Sequence, residues 1–157
     1  MYENGFANVT VIGATLLAVG MSVLTHYEGL IGLSTALETR VRHPRAKVFV
    51  AILALLVLHV LEIWVFGVTL WSLLQWPACG SLSGASPHLF DAVYFSAVTY
   101  TTVGYGDLSP SGPIRLLAGT EALVGLVLIT WSASFTFLEM ARFWESADVR
   151  RDRRDHG

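Results

Sequence analysis

Apolar side chains fall in three long runs from which Asp, Glu, Lys, Arg and His are absent: Asn4 to Thr25, Ile63 to Pro87 and Ala122 to Leu138. A helix needs ~20 such residues to cross a bilayer. The pattern therefore predicts three membrane-spanning helices. Between the second and third spans the pattern changes. Trp76 to Pro87 is rich in Pro, Gly, Ser and Ala and has no helical period. Ser86-Pro87 then has the form of an N-cap followed by proline at the first helical position. Asp91 follows where a carboxylate suits the positive end of a helix dipole. Leu89 to Thr101 is mostly apolar but, at ~1.5 Å per residue, too short to span. It is expected to be a re-entrant helix packed inside protein. It runs straight into Thr101-Thr102-Val103-Gly104-Tyr105-Gly106-Asp107.

Composition sharpens this picture. Of 157 residues, 54% are apolar and 14% charged, against roughly a quarter charged in soluble domains. That excludes a soluble enzyme, a nucleic-acid binder and a disulfide scaffold. The first run is longer than the ~7–15-residue core of a signal peptide, and Met1 to Asn8 carries Glu3 but no basic residue. It is expected to be a retained helix. Cys79 is the single cysteine, so no intrachain bridge forms. It is either a small loop residue or half of a bridge between subunits.

Charge sets the orientation. Arg40, Arg42, Arg45 and Lys47 lie between the first and second spans. Arg142, Arg150, Arg151, Arg153 and Arg154 follow the third, and only Arg115 lies elsewhere. The positive-inside rule puts both clusters in the cytoplasm and the N-terminus outside. The Arg150–Arg154 tail reads as a topology anchor or an anionic-lipid contact.

The heptad permits specific chemistry. Alternating left- and right-handed backbone conformations turn successive carbonyls to one side, and glycine takes the left-handed form without a Cβ penalty. Gly104 and Gly106 fit that alternation. The expected result is a ladder of oxygens from Thr102, Val103, Gly104 and Tyr105, with the Thr102 hydroxyl beneath. Such a ladder replaces the hydration shell of a cation. The Val103 and Tyr105 side chains are expected to face backward and wedge against the pore helix. Asp107 would stand at the mouth and concentrate cations.

Thr-Val-Gly-Tyr-Gly-Asp is the selectivity-filter signature of potassium channels, and roughly Val48 to Phe143 resembles their pore module. The resemblance is to the two-transmembrane bacterial type with one extra N-terminal helix. It implies an all-α membrane protein in which three transmembrane helices, a pore helix and a filter assemble as a C4 homotetramer. Potassium is then the permeant ion, with no cofactor and no nucleic acid, and membrane lipids are the surroundings. The regulatory partner and stimulus stay unassigned. The expected division is 1–37 for the extra helix, 38–47 for a basic linker, 48–143 for the pore module and 144–157 for a charged tail. Within the module the outer helix is 48–75, the turret 76–86, the pore helix 87–101, the filter 102–107 and the inner helix 113–143. Some family members pair a pore-helix Glu with the mouth aspartate. Val98 holds that position here, so the carboxyl pair is absent. Tyr94 and Phe95 take the place of the aromatic cuff around the filter, and Thr101 completes its support.

Polar residues inside the spans remain. His59 and Glu62 are i,i+3 on the second span, and Glu121 lies in the third. Ionisable groups at that depth are functional hypotheses. Glu62 and Glu121 are expected to approach the back of the pore helix; His59 and Glu62 would then serve as a pH-sensitive gate, or the three residues as a polar clamp between helices. His26 is expected at the inner end of the first helix, interfacial and near Arg40 or Arg42. A metal site joining it to His59 is disfavoured by different depths. On the inner helix, Thr130 and Ser134 present hydroxyls to a cavity or bond back to their own helix. Phe137 and Leu138 would form an apolar constriction. Gly119 is expected to pack closely; Gly125 is either a bend or a packing site. The first span has no arginine and so no voltage-sensor ladder. The tail of about fifteen residues is not expected to hold a ligand-binding domain. Competing readings are a less selective cation channel and a non-conducting accessory subunit. Nine arginines to one lysine point to a GC-rich bacterial genome, hence a bacterial inner membrane.

Overall fold

The computed structural model describes residues 4–41, 43–84 and 88–155, with the side chains of Pro44 and of residues 143–155 outside the description. Three helices in it are long and apolar enough to cross a membrane. α1 is Gly5–Thr39, capped by the Asn4 side chain, which accepts from Ala7 N at 3.3 Å. α2 is Pro44–Leu74, with proline in its first turn where no amide partner is needed. A short re-entrant helix, α3, is Leu89–Tyr100, and α4 is Arg115–Asp155.

These bounds differ from the sequence expectation in informative ways. The basic linker shrinks to the few residues between Thr39 and Pro44, because Arg45 and Lys47 already belong to the first turn of α2. The charged tail continues α4 as helix to Asp155, since Arg and Glu propagate a helix well. The proposed Ser86-Pro87 cap lies outside the described residues, and α3 begins at Leu89 with His88 as its N-cap. Asp91 does occupy the first turn.

α1 buries one stripe along its length: Ala7, Val11, Thr15, Ala18, Ser22, His26, Leu30, Leu33 and Leu37. The steps are three or four residues, the spacing of one helix face. The N-terminal part of this stripe is built from small side chains, which bring helix backbones close in a membrane. Two hydrophobic clusters result. Phe66, Leu70, Phe95, Tyr100 and Leu117 centre the one around α3, and Leu30, Leu37, Leu55 and Leu58 the one between α1 and α2.

α3 is held between α2 and α4 by two glycines. A Cβ on Gly67 would stand 2.8 Å from Val93 Cα, and one on Gly125 2.1 Å from the Tyr100 carbonyl oxygen. Any side chain at either position would push the short helix away. Gly125 is therefore a packing site. Gly119, expected to pack closely, meets nothing within 4 Å among the described residues of its own chain.

The turret has order that the sequence pattern does not show. A single 3-10 turn, Pro77–Cys79, leads into β1 (Ser81–Ser83), which pairs antiparallel with β2 (Ser109–Ser111). The register is Ser81 to Ser111, Leu82 to Pro110 and Ser83 to Ser109. This ribbon clasps the chain before α3 to the chain after Asp107.

Candidate functional site: the filter loop and the polar cluster behind α3

The loop after α3 carries the backbone alternation that a carbonyl ladder requires. φ is +60° at Thr102, +53° at Gly104 and +80° at Gly106, so left-handed residues occur at every second position. The glycines were legible in the sequence; Thr102 was not. A threonine in the left-handed region is strained, and local hydrogen bonds hold it there. Thr102 N donates to Thr99 O at 2.9 Å, and Gly104 N donates to Val98 O at 3.0 Å. Thr101 closes the helix, with its hydroxyl donating to Ala97 O at 2.7 Å.

Asp107 is exposed at the end of the loop. Its Oδ2 accepts a hydrogen bond from the Tyr94 hydroxyl at 2.8 Å. Tyr94 thus anchors the aspartate from α3, with Val98 taking no part in that bond. Phe95 turns the other way and is 5% exposed within the core cluster. Val103 and Tyr105 stand 54% and 71% exposed in the single chain.

Behind α3 lies a buried polar cluster. Tyr100, the last residue of α3, donates its hydroxyl to Glu62 Oε2 in a short bond. His59 Nδ1 lies 3.0 Å from Glu62 Oε2 and 3.0 Å from the Tyr100 hydroxyl. His26 Nδ1 lies 2.7 Å from Glu62 Oε1. This overturns the sequence expectation for His26. It is fully buried, and its ring stands 5.5 Å from that of His59. The reason is length: α1 has 35 residues, ~52 Å of helix, so its charge-free run ends well inside the helix and His26 sits level with Glu62.

Glu121 is the second buried acid, 1% exposed. The Ser96 hydroxyl makes a short bond to its Oε1 and lies 2.8 Å from Ile63 O. Ser96 and Tyr100 are four apart on one face of α3, a spacing visible in the sequence. They carry the two acids to opposite ends of the same stripe. Ser132 on α4 completes the cluster, its Oγ 3.5 Å from His26 Nε2. The acids thus approach the back of α3, as the sequence suggests.

On α4, Thr130 and Ser134 bond back to Leu126 O and Thr130 O at 2.7 and 3.1 Å. Phe137 and Leu138 are 65% and 58% exposed on the single chain. Glu139, unnoticed in the sequence, is 8% exposed and accepts from Arg142 Nη1 at 3.0 Å.

With the loop and its supports described, the comparisons with known proteins decide the family. A family model described as an ion channel matches residues 46–142, which cover α2, α3, the loop and the apolar part of α4. The chain belongs to this ion-channel family. It is similar to the inward rectifier potassium channel Kirbac3.1 of Paramagnetospirillum magnetotacticum, 39% identical over 44% of this chain and 24% of that protein. It is also similar to two-pore potassium channel 4 of Arabidopsis thaliana, 36% identical over 54% of this chain and 26% of the relative. Protein LctB of Bacillus caldotenax is 48% identical over 26% of this chain and 30% of its own. The chain spans about a quarter of the length of these curated relatives. No solved structure matches it. The protein is a multi-pass membrane protein, and α1 lies outside the matched region.

Proposed function

We propose that four copies of the chain surround a common axis and that the assembly conducts potassium passively. The observation that carries this reading is the left-handed alternation at Thr102, Gly104 and Gly106 within Thr-Val-Gly-Tyr-Gly-Asp. One such loop supplies one side of an ion site, and a ring of them replaces a hydration shell. Exposed Val103 and Tyr105 support the same assembly: the surface each leaves open in its own chain is available to a neighbouring α3. Two of the relatives are named potassium channels.

In this assembly the dipoles of four α3 helices direct their negative ends at the cavity below the filter. Thr130 and Ser134 face cavity water, and Phe137 and Leu138 form the constriction. Asp107 faces outside, and both basic clusters face the cytoplasm of a bacterial cell.

The test is ion flux. Purified protein in liposomes is expected to release potassium, with barium blocking the flux and Gly104→Ala abolishing it. A variant that releases potassium like the wild type would remove this reading. Wild-type liposomes that hold their potassium would favour a non-conducting accessory subunit.

A further inference from the structure

The cluster of His26, His59 and Glu62 contains donor atoms that all lie within 4.8 Å of one another. They come from two helices, α1 and α2, and α3 adds the Tyr100 hydroxyl 3.0 Å from His59 Nδ1. Both imidazoles present the same atom, Nδ1, to one carboxylate, each against a different oxygen. Two imidazoles, a carboxylate and a phenol suit a borderline divalent cation such as zinc. Zinc–ligand bonds of ~2.0–2.2 Å at tetrahedral angles put neighbouring donors ~3.3 Å apart. The contacts of 2.7 and 3.0 Å, and the 4.8 Å outer limit, bracket that spacing.

Glu62 Oε2 faces both His59 and Tyr100, and those two also lie 3.0 Å from each other, so the three side chains already converge on one point. The position of Ser132 fits too, because its Oγ faces Nε2 of His26, where an outer partner orients a ligating imidazole. His59, with its side chain 15% exposed, offers a way in.

We propose that His26, His59 and Glu62, with Tyr100 as fourth donor, form a binding site for a zinc-class metal ion. The ion ties α1 to α2 and to the last residue of α3, one residue before the filter support Thr101. This gives α1, which lies outside the matched region, a mechanical connection to the pore loop. The inference stands apart from the conduction reading, because binding is read without flux.

The probe is cobalt(II), titrated into the full chain in detergent after removal of metals with a chelator. The expected result is the strong visible band of four-coordinate cobalt, saturating at one equivalent per chain and erased by equimolar zinc. A variant lacking the other three histidines, with His43→Asn, His88→Asn and His156→Asn, is expected to keep the band. His26→Asn and His59→Asn are each expected to lose it while eluting at the wild-type volume. A wild-type protein that leaves cobalt with its weak aqueous spectrum overturns the site. So does a band that disappears in the triple variant, or one that survives unchanged in His26→Asn and His59→Asn.

Discussion

Gly125 of α4 stands directly against the carbonyl oxygen of Tyr100, so that a Cβ added there would lie 2.1 Å from it. The contact is to backbone, which cannot rotate away. Gly125→Ala is therefore expected to displace the end of α3 and lower stability by ~1–3 kcal/mol or more, the usual cost of overpacking. Thermal unfolding in detergent measures this. Gly119→Ala, with open space around it in the same chain, is the comparison.

A buried acid left without its partner is costly. Ser96 is fully buried and bonds Glu121, whose Oε2 has no hydrogen-bond partner among the described residues. Ser96→Ala removes the bond to Oε1 as well. The expected destabilisation is ~1–3 kcal/mol, again read from the unfolding transition. Stability equal to wild type would show that Glu121 finds its satisfaction elsewhere.

The Tyr94–Asp107 bond links α3 to the end of the loop that follows it. Tyr94→Phe keeps the ring and deletes the donor. Sustained single-channel recordings are expected to show shorter conducting periods in Tyr94→Phe, with Tyr94→Trp, which retains a ring donor, closer to wild type. Equal open durations in all three would remove the bond from any role in holding the filter.

Cys79 is fully buried in the turret turn, and burial pushes its thiol above the ordinary range. The reactive form is the thiolate, so the folded protein is expected to resist maleimide at neutral pH. Labelling should rise only as pH climbs past the normal thiol range or when the turret opens. Rapid labelling at pH 7 would contradict the packing of the turret turn. Rapid formation of an intersubunit disulfide would do the same.

The sequence carried the parts of this protein that follow from composition and motif. Charge-free runs announced the three spans, and two glycines at alternate positions announced the left-handed backbone of the loop. Depth within the membrane was less legible. The depth of His26 does not follow from the charge-free run, because the end of such a run is not the end of a helix, and the stripe from Ala7 to Leu37 continues past it. The left-handed Thr102 was hidden because carbonyls of Val98 and Thr99, rather than a glycine, impose the turn around it. The turret ribbon escaped because Ser81–Ser83 and Ser109–Ser111 are too short to show an alternating pattern. How far Val103 and Tyr105 are covered is not written in the motif, and in the single chain both stand exposed.

The central claim is that the loop from Thr102 to Gly106 selects potassium. The most direct measurement is the reversal potential of the reconstituted wild-type protein with potassium on one side of the bilayer and sodium on the other. A potential displaced strongly toward the potassium equilibrium value is expected. A reversal near zero, from a current that Gly104→Ala leaves intact, would contradict it.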